Sequence, residues 1–322
     1  MRRNLIAVGA ATLLTASIAA APPAAAQIQG LEIVVPAAPG GGWDQTGRAI
    51  QNALQENDLA SGIQVVNIPG AGGTIGLAQF VSGKEGQGNA LMTGGLVMLG
   101  AILTNESPVT LEQVTPIARL TGEYEAIVVP ASSDIQTLDD LVAMFKEDPQ
   151  SVSWGGGSAG GTDHMLVGLI DKEVGVAPDG INYVPFAGGG EALASILGGH
   201  VTAGVSGWEE FAGQVETGDL RALAISSAER LEGIDVPTLK EQGVDVELTN
   251  WRAVFAPPGI SDEDKKTLGD AVGQMVESET WQSTLAERNW LDLYLPPDEF
   301  AQFLEEDRAQ VETVLKEIGL VQ

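Results

Sequence analysis

The sequence LEIVVPAAPGGGWDQTGRAI, residues 31–50, runs from a short apolar strand pattern through a glycine-rich loop into a helical pattern. The same order recurs at residues 65–74, with the loop Pro69-Gly70-Ala71-Gly72-Gly73, and at residues 152–162. Glycine lets a ligand approach the backbone closely, and a helix N-terminus directs free N–H groups and the positive end of its dipole at one point. Three such turns predict an anion site that needs no lysine or arginine.

Strand and helix patterns alternate along most of the chain, which favours parallel sheets covered by helices, with ligands at the carboxyl ends of the strands. After Pro257-Pro258-Gly259 only helices are predicted, and the last one begins at Pro296-Pro297-Asp298 and ends near Gly319. The predicted strands are residues 32–35, 63–67, 90–93, 117–120, 126–129, 151–154, 181–184, 202–205, 222–225 and 253–255. The predicted helices include residues 45–55, 138–146, 163–173, 191–197 and 209–215.

Residues 1–26 have the pattern of a cleaved signal peptide. Met1-Arg2-Arg3 is basic, Leu5–Ala20 is apolar, and Ala24-Ala25-Ala26 fits a small-residue cleavage site. A membrane anchor is the alternative, but the apolar run is short and rich in alanine. We therefore expect cleavage near Ala26 and an exported, periplasmic protein with no stable membrane insertion.

The composition excludes several classes of function. With 44 acidic and 16 basic residues the chain has a formal charge of −28, which argues against a nucleic-acid partner. It has no cysteine, so disulfides and thiolate chemistry are excluded. Two histidines 36 positions apart give no zinc pattern, and neither an EF-hand nor a nucleotide-binding loop is present. No metal and no cofactor are predicted.

The first glycine loop places Gly40, Gly41 and Gly42 at the start of a helix, followed by Trp43 and Asp44. Two interpretations of Asp44 stay open: an acid of the first turn paired with Arg48, or a residue that positions the loop or accepts a ligand hydroxyl. Trp43 is either a core aromatic or a pocket wall.

The third loop contains Gly156-Gly157-Ser158-Ala159-Gly160, which matches the G-x-S-x-G pattern of a hydrolase. A serine hydrolase also needs a histidine within reach, and His164 lies inside the following helix while His200 comes too early in the chain. Ser158 and Thr162 are better explained as hydroxyl donors to a carboxylate, with His164 bracing the loop.

These loops resemble a known family. Pro39-Gly40-Gly41-Gly42-Trp43-Asp44, Asn67-Ile68-Pro69-Gly70-Ala71-Gly72-Gly73 and Gly157-Ser158-Ala159-Gly160-Gly161-Thr162-Asp163-His164 are similar to the substrate-binding proteins of tripartite tricarboxylate transporters. Tyr183-Val184-Pro185-Phe186-Ala187-Gly188-Gly189 adds to the likeness, and Gly204-Val205-Ser206-Gly207-Trp208 looks closest to the tricarboxylate-binding, TctC-type branch. The resemblance covers nearly the whole chain after the signal peptide.

The resemblance implies an α/β, two-lobed periplasmic binding protein of the flytrap-like type II, each lobe a mostly parallel sheet flanked by helices. We expect lobe 1 to comprise residues 28–122 and 249–322 and lobe 2 residues 123–248, with crossings near Thr121–Tyr124 and Leu248–Trp251. In such receptors, backbone amides from both lobes hold one ligand carboxylate. Carried over to this sequence, the ligand-binding residues are Gly40, Gly41, Gly42, Trp43, Asp44, Ser158, Ala159, Gly160, Gly161, Thr162, His164, Phe186, Ala187, Gly188 and Ser206.

The function implied is an exported receptor, not an enzyme, that binds a small di- or tricarboxylate such as citrate. It would act as a monomer and deliver the ligand to the large and small integral-membrane subunits of a permease. Two alternatives stay open: the same architecture binding another organic acid for sensing, and a secreted esterase that uses Ser158.

Overall fold

The structure is a computed structural model that describes residues 27–176, 180–187 and 189–322. The predicted signal peptide and Gly188 lie outside these residues. The helices are α1 (Gly42–Glu56), α2 (Thr74–Gly83), α3 (Leu96–Thr104), α4 (Leu138–Glu147), α5 (Thr162–Val174), α6 (Gly189–Leu197), α7 (Trp208–Thr217), α8 (Asp262–Val276), α9 (Glu279–Glu287) and α10 (Pro297–Glu317). The strands are β1 (Ile28–Gln29), β2 (Glu32–Val35), β3 (Ala60–Ser61), β4 (Gln64–Asn67), β5 (Ala90–Gly95), β6 (Thr115–Pro130), β7 (Ser153–Gly156), β8 (Asn182–Pro185), β9 (Ala203–Gly207), β10 (Leu220–Ile225), β11 (Thr249–Ala256) and β12 (Leu291–Leu295).

The larger sheet is organised around β6. The order β4-β2-β5-β11-β6-β9-β7-β8 runs across the sheet, and β10 and β12 also pair with β6. The first half of β6 pairs with β11 and β12, whereas its second half, from Glu125 onward, pairs with β9 and β10. The 16-residue strand β6 therefore pairs with strands from both halves of the larger sheet.

The two largest hydrophobic cores of the described residues come from different parts of the chain. The larger core takes its side chains from the first part of the chain, up to Leu120, and from the last part, from Trp251 onward, with Met165 as one addition. The second core is built from Ile127 to Val246. The larger core thus combines side chains that are far apart in sequence. Strands β6 and β11 connect the larger core with the second core.

Local sequence explains the helix boundaries. Ser261 caps α8: its hydroxyl accepts from the Asp264 N–H, and the Asp264 carboxylate accepts from the Ser261 N–H. Thr137 and Asp140 form the same arrangement at α4. The last helix begins at Pro297, as expected, and ends two residues before Gly319, whose φ of 73° suits a helix terminus.

Three sequence-based expectations need correction. The two strands predicted at 117–120 and 126–129 are one strand, β6, because the intervening residues pair with β11 as well. The C-terminal part is not helical throughout, because β12 adds to the sheet through β6. Parallel pairing holds for the outer strands β2, β4, β5, β7, β8 and β9, but the pairs that involve β6 and β11 are antiparallel, since these strands carry the chain across the sheet.

Candidate functional site

A cavity of about 300 Å³ lies where the glycine loops meet. The first loop joins β2 to α1, the second joins β4 to α2 and the third joins β7 to α5. Two further strand-to-helix junctions, β8 to α6 and β9 to α7, also reach the cavity. Strand carboxyl ends thus converge on one space, as expected for an α/β fold. The lining includes eight of the sequence-predicted residues: Gly41, Gly42, Trp43, Ser158, Ala159, Phe186, Ala187 and Ser206.

The other predicted residues are not part of the described cavity wall. Gly40, Asp44, Gly160, Gly161, Thr162 and His164 do not line the cavity, and Gly188 lies outside the described residues. Gly160 has a φ of 73°, and a Cβ at this position would lie 2.8 Å from the Cβ of Thr104 on α3. The Gly161 N–H donates to the Ser158 carbonyl at 2.9 Å, which closes the turn. These glycines shape the third loop and pack it against α3.

Asp44 braces the first loop from the inside. Its carboxylate accepts hydrogen bonds of 2.9 Å from the Gly40 N–H, the Arg48 Nε and the Asn67 Nδ2. Burial opposes the charge, but the hydrogen bonds from Arg48, Gly40 and Asn67 outweigh it and lower the pKa of Asp44. The pairing with Arg48 and the positioning of the loop, which the sequence left as alternatives, occur together.

Asp163 braces the third loop in the same way, and it also lines the cavity. Its Oδ2 accepts from the Gly157 N–H at 2.6 Å, while the Tyr183 hydroxyl donates to the Gly157 carbonyl at 2.9 Å. Burial raises the pKa of Asp163 to about 7, the Gly157 N–H opposes this rise, and the charge of Glu210 adds to it. Sequence reasoning quoted Asp163 within the motif but did not assign it a role.

His164 supports the third loop. Its Nδ1 accepts from the Gly160 N–H at 3.2 Å, and its ring stacks on Tyr183 with 4.1 Å between centroids. Burial lowers the pKa of His164 to about 4, so the imidazole is neutral at pH 7. Within the described chain no hydrogen bond joins Ser158 to a histidine. This arrangement lacks the nucleophile–base pair of a serine hydrolase.

A buried ion pair forms part of the cavity wall. Arg252 on β11 pairs through its guanidinium with the Glu123 carboxylate on β6, and both side chains are 4% exposed. The guanidinium also packs against Gly42 and lies over the Trp290 ring. Burial, and secondarily the charge of Arg288, lowers the pKa of Arg252 to about 9. Arg252 lies one residue beyond the expected crossing at Leu248–Trp251, and the sequence analysis gave it no role.

Glu210 on α7 lines the cavity and connects the start of α1 with β9. Its Oε1 accepts from the Gly42 N–H at 3.1 Å, and its Oε2 accepts from the Ser206 hydroxyl at 3.1 Å. Burial raises the pKa of Glu210, whereas the bonds from Ser206 and Gly42 oppose the rise. A carboxylate of the protein therefore sits at the N-terminus of α1, where the helix dipole favours negative charge. Sequence reasoning placed this residue in a helix and gave it no role.

The charged groups of the wall are mostly acidic. Among the described lining residues, Glu123, Asp163 and Glu210 are opposed by one arginine, Arg252. Glu125 is fully buried and lies close enough to be affected by them: burial, and then the charges of Asp163 and Glu210, raise its pKa well above the usual range. Charged side chains therefore line the cavity beside the glycine loops and hydroxyl groups that the sequence predicted.

No helix among the described residues is long and apolar enough to cross a membrane. The described residues also contain no group of three or more histidine, aspartate or glutamate side chains placed to hold a metal ion.

Comparisons with known proteins agree with this architecture. Residues 47–320 match the family described as "Tripartite tricarboxylate transporter family receptor". Protein BugT of Bordetella pertussis is 28% identical over 324 residues, which cover 98% of each chain. Among solved structures, periplasmic binding protein BugD is 21% identical with a TM-score of 0.81, over 91% of this chain and 98% of that chain. MatC from Rhodopseudomonas palustris, solved with bound malate, is 24% identical with a TM-score of 0.79, over 89% of this chain and 99% of that chain.

The chain therefore belongs to the tripartite tricarboxylate transporter receptor family. The structural neighbours confirm the two-lobed α/β fold of periplasmic binding proteins.

Proposed function

Because the chain belongs to the tripartite tricarboxylate transporter receptor family, we propose that it captures a small di- or tricarboxylate and delivers it to a membrane permease. The observation that carries the proposal is the convergence of glycine loops from distant parts of the chain on one cavity. Membership of the receptor family supports delivery to a permease with a large and a small integral-membrane subunit. We propose a citrate-like ligand.

Backbone donors support capture of a carboxylate. Ser158 and Ala159 line the cavity, and their N–H groups take part in no hydrogen bond within the part of the chain that the structure describes. The first loop adds the Gly41 N–H at the N-terminus of α1, whereas the Gly42 N–H already donates to Glu210. Such groups bind one carboxylate from two sides. Malate, which MatC holds, is a dicarboxylate of this kind.

We propose that the lobes are residues 28–122 with 249–322 and residues 123–248. The separate hydrophobic cores support this division. The two expected crossings also pair with each other: Tyr124 lies opposite Thr249, and Gly122 lies opposite Trp251. A two-stranded connection of this type lets the lobes rotate together around a ligand. We expect small-angle scattering to show a smaller radius of gyration at ligand saturation, and an unchanged radius would indicate a rigid pocket.

We propose further that the protein is exported to the periplasm as a monomer after cleavage near Ala26. The receptor family and the periplasmic origin of BugD support this location. N-terminal sequencing of the protein from a periplasmic extract tests the cleavage site. An intact N-terminus on the membrane would contradict it.

A thermal-shift screen of small carboxylates tests the binding function. A ligand at 100 times its Kd is expected to add about 2.7 kcal/mol to the free energy of unfolding. The Gly41→Val variant should lose this effect, because Gly41 lines the cavity, has no φ that excludes valine and has open space at its Cβ. Gly213→Ala, on the exposed face of α7, is the matched control and should keep it. The proposal fails if no carboxylate stabilises the protein.

The Ser158→Ala variant separates a receptor from an esterase. Ser158→Ala should weaken carboxylate binding moderately, because one hydroxyl donor is lost while the backbone donors remain. An esterase would lose turnover of an aryl ester completely with this substitution. Turnover by the wild-type protein that Ser158→Ala abolishes would contradict the receptor assignment.

A further inference from the structure

Two consecutive glutamates at the start of α7 connect this helix with distant parts of the chain. The Gly42 N–H donates to the Glu210 Oε1 at 3.1 Å, and the Asn289 Nδ2 donates to the Glu209 Oε1 at 3.1 Å. Gly42 and Asn289 belong to the proposed lobe 1, whereas Glu209 and Glu210 belong to the proposed lobe 2. Two neighbouring side chains therefore bridge the proposed lobes.

Lobe 1 presents both donors from the ends of helices. Gly42 is the first residue of α1, which has 15 residues. Asn289 follows α9 with a φ of 51°, a left-handed conformation that asparagine adopts more readily than most residues. The Trp290 N–H closes this helix end by donating to the Leu285 carbonyl at 2.9 Å. The turn that carries Asn289 is thus fixed to the end of α9.

Lobe 2 leaves room for the Glu210 carboxylate and orients it. A Cβ at Gly189 on α6 would overlap the Glu210 Oε2. The Ser206 hydroxyl donates to the same oxygen at 3.1 Å. Gly189 and Ser206 therefore hold the Glu210 side chain in the direction of Gly42.

The third glycine loop is joined to lobe 1 by close packing instead. A Cβ at Gly100 on α3 would overlap the Gly160 carbonyl, and Met165 on α5 belongs to the larger core. Separating these surfaces would lose buried van der Waals contacts. The two hydrogen bonds at the start of α7 cost less to break, because water can replace them. The proposed lobes should therefore part first at the start of α7.

We propose that Glu209 and Glu210, with Asn289 and the Gly42 N–H, form an interlobe clasp, and that the cleft opens to a ligand when this clasp is released. The inference rests on the proposed receptor function and adds the contacts that part when a ligand enters. The interlobe clasp consists of protein groups alone, so it favours the closed cleft whichever carboxylate is bound. It therefore lowers the open fraction of the receptor and should slow both association and dissociation of the ligand.

Spin labels on the two lobes measure the opening without a ligand. The chain contains no cysteine, so labels attach only to introduced cysteines. Ser283→Cys on α9 and Gly213→Cys on α7 are exposed positions, one on each proposed lobe. Pulsed electron paramagnetic resonance gives the distribution of distances between the two labels. We expect a short distance from the closed cleft and a longer one from the open cleft.

Removing either glutamate side chain should increase the open population. In Glu209→Ala and in Glu210→Ala we expect the ratio of the long to the short distance to rise about threefold or more, which is the effect of one hydrogen bond. Asn289→Gly should match Glu209→Ala and add nothing to it, because both substitutions remove the same bond, and glycine readily adopts the positive φ of this position. Glu216→Ala is the matched control: it removes an exposed acid farther along α7 and should leave the distribution unchanged.

Stopped-flow kinetics with citrate test the effect on ligand entry. Glu209 does not line the cavity, so Glu209→Ala removes its bond to Asn289 without removing a lining side chain. Association and dissociation should each accelerate about threefold, so that the Kd stays nearly constant. A variant that merely damaged the fold would raise the Kd without accelerating association.

Two results would overturn the proposal. The first is a distance distribution in Glu209→Ala and Glu210→Ala that equals the distribution in Glu216→Ala. The second is an association rate of citrate in Glu209→Ala that equals the wild-type rate although the distances shift, since the ligand would then enter elsewhere. Failure of the receptor function is distinct, because no carboxylate of the thermal-shift screen would then stabilise the protein. The distance measurement needs no ligand and still decides whether the interlobe clasp exists.

Discussion

Replacing Arg252 by methionine should destabilise the fold strongly, because it leaves the Glu123 carboxylate buried without its partner. Both side chains are 4% exposed, so solvent screens the pair little. Removing one member of a buried pair typically costs about 3–5 kcal/mol. The lowered pKa of Arg252 shows in the same way that burial opposes charge at this position. We expect a loss of that size in the free energy of unfolding, measured by urea denaturation.

The double variant Glu123→Gln with Arg252→Met should recover most of the loss, since no unpaired charge remains, and the coupling between the two positions should be about 2 kcal/mol or more. The exposed pair of Arg230 and Glu241 is the control: its side chains are 48% and 42% exposed, so Arg230→Met should cost about 1 kcal/mol or less. Unfolding followed by fluorescence and by circular dichroism must coincide for these values to hold. A cost for Arg252→Met no larger than that for Arg230→Met would refute the reasoning.

Three further predictions concern the fold and the approach of the ligand. Gly160→Val should lower the melting temperature, unlike Gly41→Val, because Gly160 has a positive φ and faces Thr104; equal melting temperatures would contradict this. The association rate of a dianion should rise or stay constant from low to physiological salt, because the acidic protein repels it; a steep fall in stopped-flow experiments would mean that Arg252 dominates the encounter. The free energy of unfolding of Asp163→Asn, relative to wild type, should rise as pH increases from about 4 to about 7. The raised pKa of Asp163 makes the folded wild-type protein bind an extra proton, which stabilises it at low pH. That contribution is lost as the Asp163 carboxyl ionises. Urea unfolding at pH 4.5, 6 and 8 measures this trend, and a constant difference would exclude it.

Sequence predicted the parts of the fold that depend on local pattern. The glycine loops, the helices that follow them and the cap at Ser261 are each encoded within about ten neighbouring residues. The rule that ligands lie at strand carboxyl ends then places Gly41 and Ser158 correctly at one cavity. The missed strand β12 has only five residues and exists because it pairs with β6, about 170 residues earlier. The sequence of β12 alone therefore gives little indication of a strand.

The charged part of the wall could not be predicted for the same reason. Glu123 and Arg252 are 129 positions apart, and Gly42 and Glu210 are 168 positions apart. Acidic residues are so frequent in this chain that no single one stands out, and Glu210 looks like an ordinary acid in the first turn of a helix. Distinguishing a lining glycine such as Gly41 from a packing glycine such as Gly160 likewise requires the neighbours that only the fold provides.

The acids of the site explain how a glycine-rich cradle stays ordered in so acidic a chain. The first and the third glycine loop are each held by a carboxylate of the protein. Asp44 accepts from the Gly40 N–H, and Asp163 accepts from the Gly157 N–H. These bonds use some of the donors that a ligand would otherwise take, so the anion affinity of the loops is partly satisfied internally. The N–H groups of Ser158 and Ala159 are among the donors left over. We expect these remaining donors, and not a lysine or an arginine, to hold the proposed carboxylate.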